Sequence, residues 1–433
     1  MGGLGMIGAG VYLWGTRIGT VAQEDSGHPA VFTYERDFLR SGIEVSPLWM
    51  PLSAQNYAFP GLMTDAFRGL PGMLADSLPD RYGSKLLEEA FARRGRDAGT
   101  ILAVERLCYT GARGMGALEF RPAEELVSTR DESLDLDVLV QAASDILSSR
   151  EEMRASESDI HQLISVGTSA GGARAKAVIQ WNRQTGDIRS GQAKARSGYE
   201  HWLIKFDGVS GNRDHDDKDD SEEFTRIEYA YHRMAVAAGI EMTECMLKPQ
   251  SGRYHFMTKR FDRIGEKGEK LHMQTLGGIA HYDFNDPGAH SYEQAAMVIR
   301  RLGMGNVEVE QFFRRMAFNV MARNQDDHVK NIAFLMDRRG KWALSPAYDI
   351  TFALNPENRW LCRHQMSVNG KLDAITREDL IDAGRNMNIR PVRAKAILAE
   401  VASALADWPK YAEEAFVTEK TAAAIQTAFQ ALA

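Results

Sequence analysis

The spacing of apolar residues changes along this 433-residue chain, and the change limits the folds open to it. Up to about residue 125, short apolar runs alternate with turns rich in Pro, Gly and Ser, a pattern typical of β-strands. The run GVYLWGTRIGTV, which begins at Gly10, predicts a β-hairpin. From Ser291 onward the apolar residues mostly recur at helical spacing. The sequence therefore predicts an α+β fold with two lobes, a β-rich N-terminal lobe and a mostly helical C-terminal lobe, separated by a cleft.

The same patterns predict local elements and segment borders. A helix is expected over about Glu222–Ala238, because its apolar side chains share one face and Gly239 follows it. Thr376 and Asp379 have the spacing of a capping box, with Asp in place of Glu. Two alanine-rich helices are expected over about 391–430. The predicted segments are 1–125, a β-rich subdomain; 126–160, a helical connector; 161–265, the rest of the N-terminal lobe; and 266–433, the helical C-terminal lobe.

Composition excludes several classes of protein. The formal net charge of −7 argues against nucleic-acid binding by the whole surface, although a local basic patch stays open. No apolar run approaches the roughly 20 residues of a spanning helix, and the apolar N-terminus lacks the basic region of a signal peptide. Cys108, Cys245 and Cys362 are far apart and odd in number, which favours idle thiols in a reducing compartment. A cytoplasmic protein without membrane contact is expected.

The segment NQDDHVKN, residues 324–331, concentrates functional side chains. Asp326 and Asn331 lie five positions apart, as the Asp and Asn of the protein-kinase catalytic loop do. In one short loop, a carboxylate can then accept the proton of an attacking hydroxyl while an amide oxygen binds magnesium. The spacing favours Asp326 over its neighbour Asp327 as the base. A solvated polar turn between two helices is the alternative interpretation.

A second acidic position follows an apolar hairpin. In SPAYDITFA, Asp349 comes after NIAFLMDRRGKWALS, which begins at Asn331 and is expected to form two strands. Because a hairpin returns the chain to its starting point, Asp349 is predicted to supply a second magnesium ligand, as the Asp of DFG does. Taken alone, Tyr-Asp-Ile at a strand end more often marks a turn or a cap.

A glycine-rich turn is a candidate for phosphate binding. Gly167, Gly171 and Gly172 lie between apolar runs, where backbone N–H groups can approach phosphate oxygens closely. Arg174 and Lys176 add positive charge at the same point. The Walker A ending GK[ST] is absent, and simple chain reversal is the alternative.

Two further positions complete the predicted nucleotide site. Lys205 lies within the apolar strand HWLIKFDG, where a buried lysine needs a charged partner or a function. It is predicted to bind phosphate, with Glu228 of the following helix as a candidate partner; alternatively it points to solvent. Phe261, in MTKRFDR, is expected to border the adenine ring, with nearby backbone groups at the base edge.

In this order, these pieces resemble the HipA family, the serine/threonine kinase toxins of bacterial HipA–HipB modules, over nearly the whole chain. The N-terminal part of the resemblance rests on FRGLPGMLADSLPDRYG and GALEF. The C-terminal part rests on SAGGARAKA, LIKF, KRFDR, DDHVKN and AYDI, of which the catalytic stretch and the glycine turn are the most specific. The resemblance implies a protein-kinase-like fold that uses ATP and Mg²⁺.

The resemblance also implies roles for individual residues. Asp326 would be the catalytic base, and Asn331 and Asp349 would bind magnesium. A glutamate is common in the family where Lys259 stands, so the adenine hinge departs from the family pattern there. The residues implied to bind ATP are Gly171, Gly172, Ala173, Arg174, Ala175, Lys176, Lys205, Lys259, Arg260, Phe261, His328, Lys330, Asn331, Tyr348 and Asp349.

Regulation and partners follow from the same resemblance. Ser169 matches the serine that family members phosphorylate on themselves, a modification that ejects the phosphate loop and silences the kinase. Thr168 and Ser165 are close enough to be alternatives. The implied partners are a protein substrate, which for family members is an aminoacyl-tRNA synthetase, and a DNA-binding HipB antitoxin. DNA itself would be contacted only indirectly or through a local patch.

Two other functions fit parts of this pattern. A small-molecule phosphotransferase with a kinase-like core would share Asp326, Asn331 and Asp349, but the β-rich segment before residue 125 is a feature of the family's toxins. A catalytically dead kinase that binds the antitoxin as a co-repressor would share the fold. The intact set of these three residues and Lys205 argues against it.

Overall fold

The structure of the chain is a computed structural model. The residues it describes are 6–122, 133–147, 163–164, 166–167, 174–209 and 223–430. The chain forms two compact units, each assembled from separate segments. The first comprises Met1–Asp214, Lys259–Asp283 and Leu335–Lys341; the second comprises His215–Thr258, Phe284–Phe334 and Trp342–Ala433. The four predicted segments stay a prediction.

Strands dominate the N-terminal part of the described chain, and helices dominate the C-terminal part. The strands are β1 (Ile7–Leu13), β2 (Thr16–Gln23), β3 (Val31–Tyr34), β4 (Asn56–Tyr57), β5 (Leu118–Arg121), β6 (Lys176–Trp181), β7 (Ile188–Ser190), β8 (Glu200–Lys205), β9 (Cys245–Gln250), β10 (Arg253–Lys259), β11 (Arg263–Ile264), β12 (Glu269–Lys270), β13 (His272–Thr275), β14 (Ala333–Met336) and β15 (Trp342–Leu344). The helices are α1 (Gly72–Ala75), α2 (Arg81–Arg93), α3 (Ala103–Thr110), α4 (Leu136–Leu147), α5 (Phe224–Ala237), α6 (Leu276–Ala280), α7 (Tyr292–Arg301), α8 (Asn306–Met321), α9 (Arg377–Asn386), α10 (Pro391–Ala406), α11 (Trp408–Glu414) and α12 (Glu419–Ala428).

The first sheet of unit 1 is antiparallel, with strand order β4-β3-β2-β1-β5. The predicted hairpin is confirmed as β1 and β2, which are joined at Trp14 and Gly15. Both of these residues have positive φ, as a two-residue hairpin turn with the twist of the flanking strands requires. Alternate residues of β1, ending at Leu13, are buried, and helix α3 packs against this strand.

A second antiparallel arrangement in unit 1 joins β7, β6 and β8. Strand β6 is buried along nearly its whole length, so it reads as an apolar run in which Lys176 and Gln180 are the polar exceptions. The register pairs Lys176 with Lys205, so the two lysines lie directly opposite each other on neighbouring strands. Residues at such positions share one face of the sheet.

Unit 2 is built around helices that pack their apolar faces together. Helix α5 packs against α10 and α11, and α8 packs against α7 and α10. Tyr231 of α5 meets Trp408 edge to face at 5.4 Å between ring centroids, and Phe429 meets Trp408 at 5.7 Å. These aromatic contacts pack α5 against the start of α11 and against the residue that follows α12. The sequence predicted α5 over about Glu222–Ala238.

The fold class predicted from the sequence is confirmed: a mixed α+β protein with a sheet-rich N-terminal part and a helical C-terminal part. The prediction of two helices over 391–430 is wrong, because three form there. Pro409 in the first turn of α11 cannot continue α10, so a new helix begins at that point. Among the described residues, no helix is both long and apolar enough to cross a membrane.

Candidate active site

The segment 324–331 lies in unit 2 and follows helix α8. Asp326, His328 and Lys330 are partly exposed, whereas the residues between them, Asp327 and Val329, are buried. One set of side chains in this segment packs inward and the other stays accessible, and its last residues, Val329–Asn331, form a 3-10 helical turn. The segment is therefore not a uniformly solvated turn.

Asp327 is fixed inside unit 2 by three hydrogen bonds. Its Oδ2 accepts from the Tyr292 hydroxyl at 2.7 Å and lies 2.8 Å from Nδ1 of His364, while its Oδ1 accepts from the backbone N–H of Gln365 at 2.7 Å. Burial by itself would raise the pKa of Asp327, but the charge and hydrogen bond of His364, with the bonds from Tyr292 and Gln365, lower it below the ordinary value. Both oxygens of this carboxylate are occupied within the protein.

Asp326 has the opposite environment. Its side chain is 20% exposed, whereas that of Asp327 is fully buried. The backbone carbonyl of Asp326 accepts a hydrogen bond from Nδ2 of Asn331 at 2.8 Å. This bond closes the loop on itself and fixes the amide nitrogen of Asn331 against the loop backbone.

The second predicted motif is joined to the first by hydrogen bonds within unit 2. The Tyr348 hydroxyl donates to the carbonyl oxygen of Lys330 at 2.6 Å, and the N–H of Gln325 donates to the carbonyl of Ala353 at 3.0 Å. Tyr348 directly precedes Asp349, and Lys330 directly precedes Asn331. The residues predicted to bind magnesium thus follow two positions that are in direct contact.

Asp349 also has an unusual backbone. Its φ is +53°, in the left-handed region that residues other than glycine enter at a cost. The following residue, Ile350, is buried, while Asp349 itself is partly exposed. Strained positions of this kind cluster at functional sites, where the surrounding structure holds them.

In unit 1, Lys205 is the last residue of β8 and is 8% exposed, so the alternative in which it points to solvent is wrong. Lys176, opposite it, donates to Oδ2 of Asp80 at 3.0 Å, and both partners of this ion pair are buried. Asp80 also caps helix α2, because its Oδ1 accepts from the N–H of Gly83 at 2.6 Å. Lys176 therefore lies in a strand and binds Asp80.

The predicted hinge residues have well-defined partners in unit 1. Lys259 donates to Glu200 at 2.6 Å and is half exposed. The guanidinium of Arg260 binds Asp262 through two hydrogen bonds, at 2.9 and 2.7 Å, and both residues are buried. The side chain of Arg260 thus serves this ion pair, which leaves backbone groups and the partly exposed Phe261 as the hinge's contribution to a nucleotide site.

Part of the predicted phosphate loop lies outside the described residues. These positions are Ser165, Thr168, Ser169, Gly171, Gly172 and Ala173. Arg174 and Ala175 are described, and the carbonyl of Ala175 accepts from the N–H of Phe206 at 3.1 Å. Glu228 is buried on α5, and its pairing with Lys205 stays a prediction.

Sequence reasoning missed the residues that support these motifs. Tyr292 and His364 bind Asp327 from 35 and 37 positions away, and no local pattern signals such a contact. Asp80 could have been found, because an acidic residue directly before a helical run is a typical N-cap.

Comparisons with known proteins place the chain in a family. The family described as "HipA-like C-terminal domain" matches residues 168–408, and the family described as "HipA N-terminal domain" matches residues 9–121. A curated relative from Sinorhizobium fredii, named "Putative kinase Y4dM", is 30% identical over 139 residues, which are 28% of this chain and 32% of the relative. The match thus spans about a third of that relative's length.

A solved structure shares the fold over almost the whole chain. It is a chain of the Shewanella oneidensis complex of the toxin–antitoxin system proteins HipA and HipB with operator DNA, matched with a TM-score of 0.68 at 15% identity over 97% of this chain and 94% of that one. A Helicobacter pylori proinflammatory kinase, CtkA, matches over 53% of this chain at 13% identity, with a TM-score of 0.34 that is too low to bear on the fold. Because the C-terminal family match alone covers more than half of its residues, the chain belongs to the HipA family.

Proposed function

We propose that this chain is an ATP- and magnesium-dependent serine/threonine protein kinase, the toxin of a HipA–HipB-like module. The observation that carries the proposal is the difference in environment between two neighbouring carboxylates. Asp327 is buried and bonded on both oxygens, whereas Asp326 beside it is accessible and lies in the same short loop as Asn331. A loop built to expose one carboxylate while anchoring its neighbour suits a catalytic base.

In the proposed reaction, a serine or threonine hydroxyl of a protein substrate attacks the γ-phosphorus of ATP. Asp326 accepts the hydroxyl proton, the new O–P bond forms, and the bond to the β-phosphate oxygen breaks to release ADP. The transition state of phosphoryl transfer is loose, so positioning and neutralisation of charge supply most of the acceleration. The hydrogen bond from Asn331 to the Asp326 carbonyl supports this positioning.

Magnesium fits the oxygen donors of the proposed site. Among the described residues, no cluster of three or more His, Cys, Asp or Glu side chains could hold a metal by itself. Magnesium usually binds through one or two protein oxygens together with substrate phosphates. Asn331 and Asp349 offer such oxygens on segments that the Tyr348–Lys330 hydrogen bond joins. When bound there, the ion would neutralise phosphate charge.

The proposed nucleotide contacts in unit 1 are Lys205, Phe261 and the hinge backbone. Lys205 is buried at the end of β8, where an ammonium in a low-dielectric surrounding attracts phosphate more strongly than it would in water. Asp80 neutralises the neighbouring Lys176, which removes like-charge repulsion between two opposed lysines. Residues 171–176 remain the proposed phosphate loop, although its last residue, Lys176, also binds Asp80.

Partners, substrate and compartment are proposed from the family. The solved relative is described as a complex of HipA, HipB and operator DNA, so we propose a HipB-like DNA-binding antitoxin as the partner here. The proposed substrate class is a translation factor such as an aminoacyl-tRNA synthetase, in the cytoplasm. Phosphorylation of Ser169 by the chain itself is proposed to switch the kinase off.

The test is incubation of the purified chain with radiolabelled ATP and magnesium. Wild type is expected to incorporate phosphate, and mass spectrometry is expected to find it on Ser169. Asp326→Ala is expected to reduce incorporation by about 10²–10⁴, the usual contribution of a general base. Its thermal unfolding should match that of wild type, because the Asp326 side chain is partly exposed.

The matched control is Asp373→Ala, which removes an exposed carboxylate elsewhere in unit 2 and should keep wild-type activity. Retained incorporation in Asp326→Ala would reject that residue as the base. Turnover of a small molecule without any protein phosphorylation would favour the phosphotransferase alternative. Binding of ATP and magnesium without turnover would favour a dead kinase that acts as a co-repressor.

A further inference from the structure

An aromatic ring lies against two side chains of the catalytic segment in unit 2. The ammonium of Lys330 lies 4.4 Å from the centroid of the Phe284 ring, within the range of a cation–π interaction. The imidazole of His328 contacts the same ring, with the centroids 5.9 Å apart and the planes inclined by 54°. Phe284 thus touches both partly exposed side chains that follow Asp326.

The orientation of His328 connects this contact to the catalytic carboxylate. Nδ1 of His328 accepts a hydrogen bond from the backbone N–H of Lys330 at 3.2 Å, so in the neutral ring the proton is on Nε2. Nε2 lies 3.8 Å from Oδ1 of Asp326, beyond hydrogen-bond distance but within range of electrostatic attraction. The ring of Phe284 therefore packs on an imidazole whose Nε2 lies 3.8 Å from the Asp326 carboxylate.

The segment that follows Phe284 is bonded to the residues that bind Asp327. In the segment that begins at Phe284, Gly288 donates to the carbonyl of Gln365 at 2.8 Å, and the N–H of Gln365 donates to Asp327 at 2.7 Å. Ser367 donates to the carbonyl of His290 at 3.0 Å. The segment that follows Phe284 is thus bonded to the same stretch, 365–367, that binds the buried carboxylate of Asp327.

We propose that Phe284 is a positioning residue for phosphoryl transfer, which restrains the Lys330 ammonium and the His328 imidazole in the catalytic segment that contains Asp326. The inference rests on the proposed kinase function. A lysine on a flexible stem gives most charge stabilisation when its position is fixed before the reaction, and the aromatic face supplies that restraint without neutralising the charge. Phe284 needs no contact with substrate for this role.

The first test compares Phe284→Leu with Phe284→Tyr and Phe284→Trp in steady-state kinetics. Leucine is also a large apolar side chain, but it lacks the aromatic ring whose quadrupole attracts a cation. Phe284→Leu is expected to lower kcat roughly twofold to thirtyfold, the range that a cation–π contact supports, with KM for ATP nearly unchanged. The two aromatic variants should restore kcat. A wild-type kcat in Phe284→Leu, or a loss as large in Phe284→Tyr, would overturn the inference.

A double-mutant cycle with Lys330→Met separates positioning from general loss of packing. If Phe284 acts through Lys330, the double variant should be about as slow as Lys330→Met alone. If the factors by which the two single substitutions lower kcat multiply in the double variant, the ring does not act through this lysine.

A spectroscopic readout keeps the inference testable if no substrate is phosphorylated. Lysines are methylated with a ¹³C label, which retains their charge, and the Lys330 signal is identified by its loss in Lys330→Met. Its methyl groups should resonate upfield because of the ring, and the shift should vanish in Phe284→Leu and persist in Phe284→Tyr. If wild type shows no upfield shift, the Phe284 ring does not lie against the Lys330 ammonium in solution. A normal shift in a protein that transfers no phosphate would reject the kinase proposal and leave the placement standing.

Discussion

At the scale of single residues, the adjacent carboxylates of Asp326 and Asp327 differ in burial although they have the same chemistry. Asp327 lies in the interior of unit 2, where an ionised carboxylate is stable only if hydrogen bonds and an opposite charge replace the lost water. Tyr292, His364 and Gln365 provide that replacement. The cost of removing one partner from such an arrangement is large, because the other polar groups stay buried.

Asp327→Asn is therefore expected to destabilise the protein by about 1–3 kcal/mol, the usual cost of leaving buried hydrogen-bonding groups unsatisfied. Denaturant unfolding followed by circular dichroism measures the change. Asp373→Asn, which alters an exposed carboxylate in the same unit, should change the free energy of unfolding by less than about 0.5 kcal/mol. A loss of less than about 1 kcal/mol in Asp327→Asn would show that the carboxylate charge is not needed there.

The lowered pKa of Asp327 predicts a dependence of stability on acid. In the unfolded chain the Asp327 carboxylate is protonated near the ordinary carboxyl pKa of about 4, whereas in the folded chain it is protonated only at a lower pH. The stabilisation is thus present above about pH 4 and is lost as the pH falls through the folded-state pKa. Unfolding free energies measured between pH 6 and pH 3 should decline, and the decline should be shallower in Asp327→Asn. Equal slopes would contradict the prediction.

At the scale of elements, one ion pair joins a strand to the start of a helix. Asp80 caps α2 with one oxygen and binds Lys176 of β6 with the other, and both residues are buried. This ion pair also offsets the repulsion between Lys176 and Lys205, since like charges at facing positions destabilise a sheet. At the scale of elements, Lys176 thus joins β6 to α2, and its predicted phosphate contact stays a prediction.

Lys176→Met is expected to destabilise the protein by about 3–5 kcal/mol, because the buried Asp80 carboxylate would lose the ammonium it binds. The double variant with Asp80→Leu should recover much of that loss, since a buried pair replaced by apolar residues is often neutral. Thermal and denaturant unfolding of the two singles and the double give the coupling energy. Additive losses would mean that the two side chains do not stabilise each other.

The start of helix α9 shows how much of a helix boundary a local capping pattern predicts. The capping box of α9 is present as predicted: Thr376 accepts from the N–H of Asp379 at 3.2 Å, and Asp379 accepts from the N–H of Thr376 at 2.8 Å. Asp379 also binds Lys371 and Asn369, contacts that the capping pattern does not contain. The local signal located the helix start, and the neighbouring chain added partners to it.

At the scale of the whole molecule, the N-terminal family domain is built into a larger unit. Within unit 1, Gly116 donates to buried Asp262 at 2.7 Å, and the Trp14 and Trp49 indoles donate to the carbonyls of Lys270 and Ala280 at 2.8 and 2.9 Å. Gly116 has φ of +77°, and a Cβ there would lie 2.8 Å from the backbone nitrogen of Met273. These contacts join residues 9–121 to the part of the chain around 262–281.

A fragment of residues 1–125 is therefore not expected to fold by itself, although it covers a complete family match. In the fragment, the Trp14 and Trp49 indoles and the backbone N–H of Gly116 would lose the acceptors that Lys270, Ala280 and Asp262 provide. Circular dichroism should show no cooperative thermal transition for the fragment, whereas the full chain should unfold cooperatively. A sharp transition in the fragment would show that its own core is sufficient.

The sequence by itself determined the class of fold, the hairpin of β1 and β2, the helix α5 and the order of the motifs. These features depend on spacing between near neighbours in the chain. Only the tertiary structure decided that Asp327 is anchored, that Lys176 binds Asp80 and that Phe284 contacts Lys330. The partners in these contacts lie far apart in the sequence, 37 positions for His364 and Asp327 and 96 for Lys176 and Asp80. No periodicity spans such distances, so the partners of a buried charge are fixed only when the chain packs.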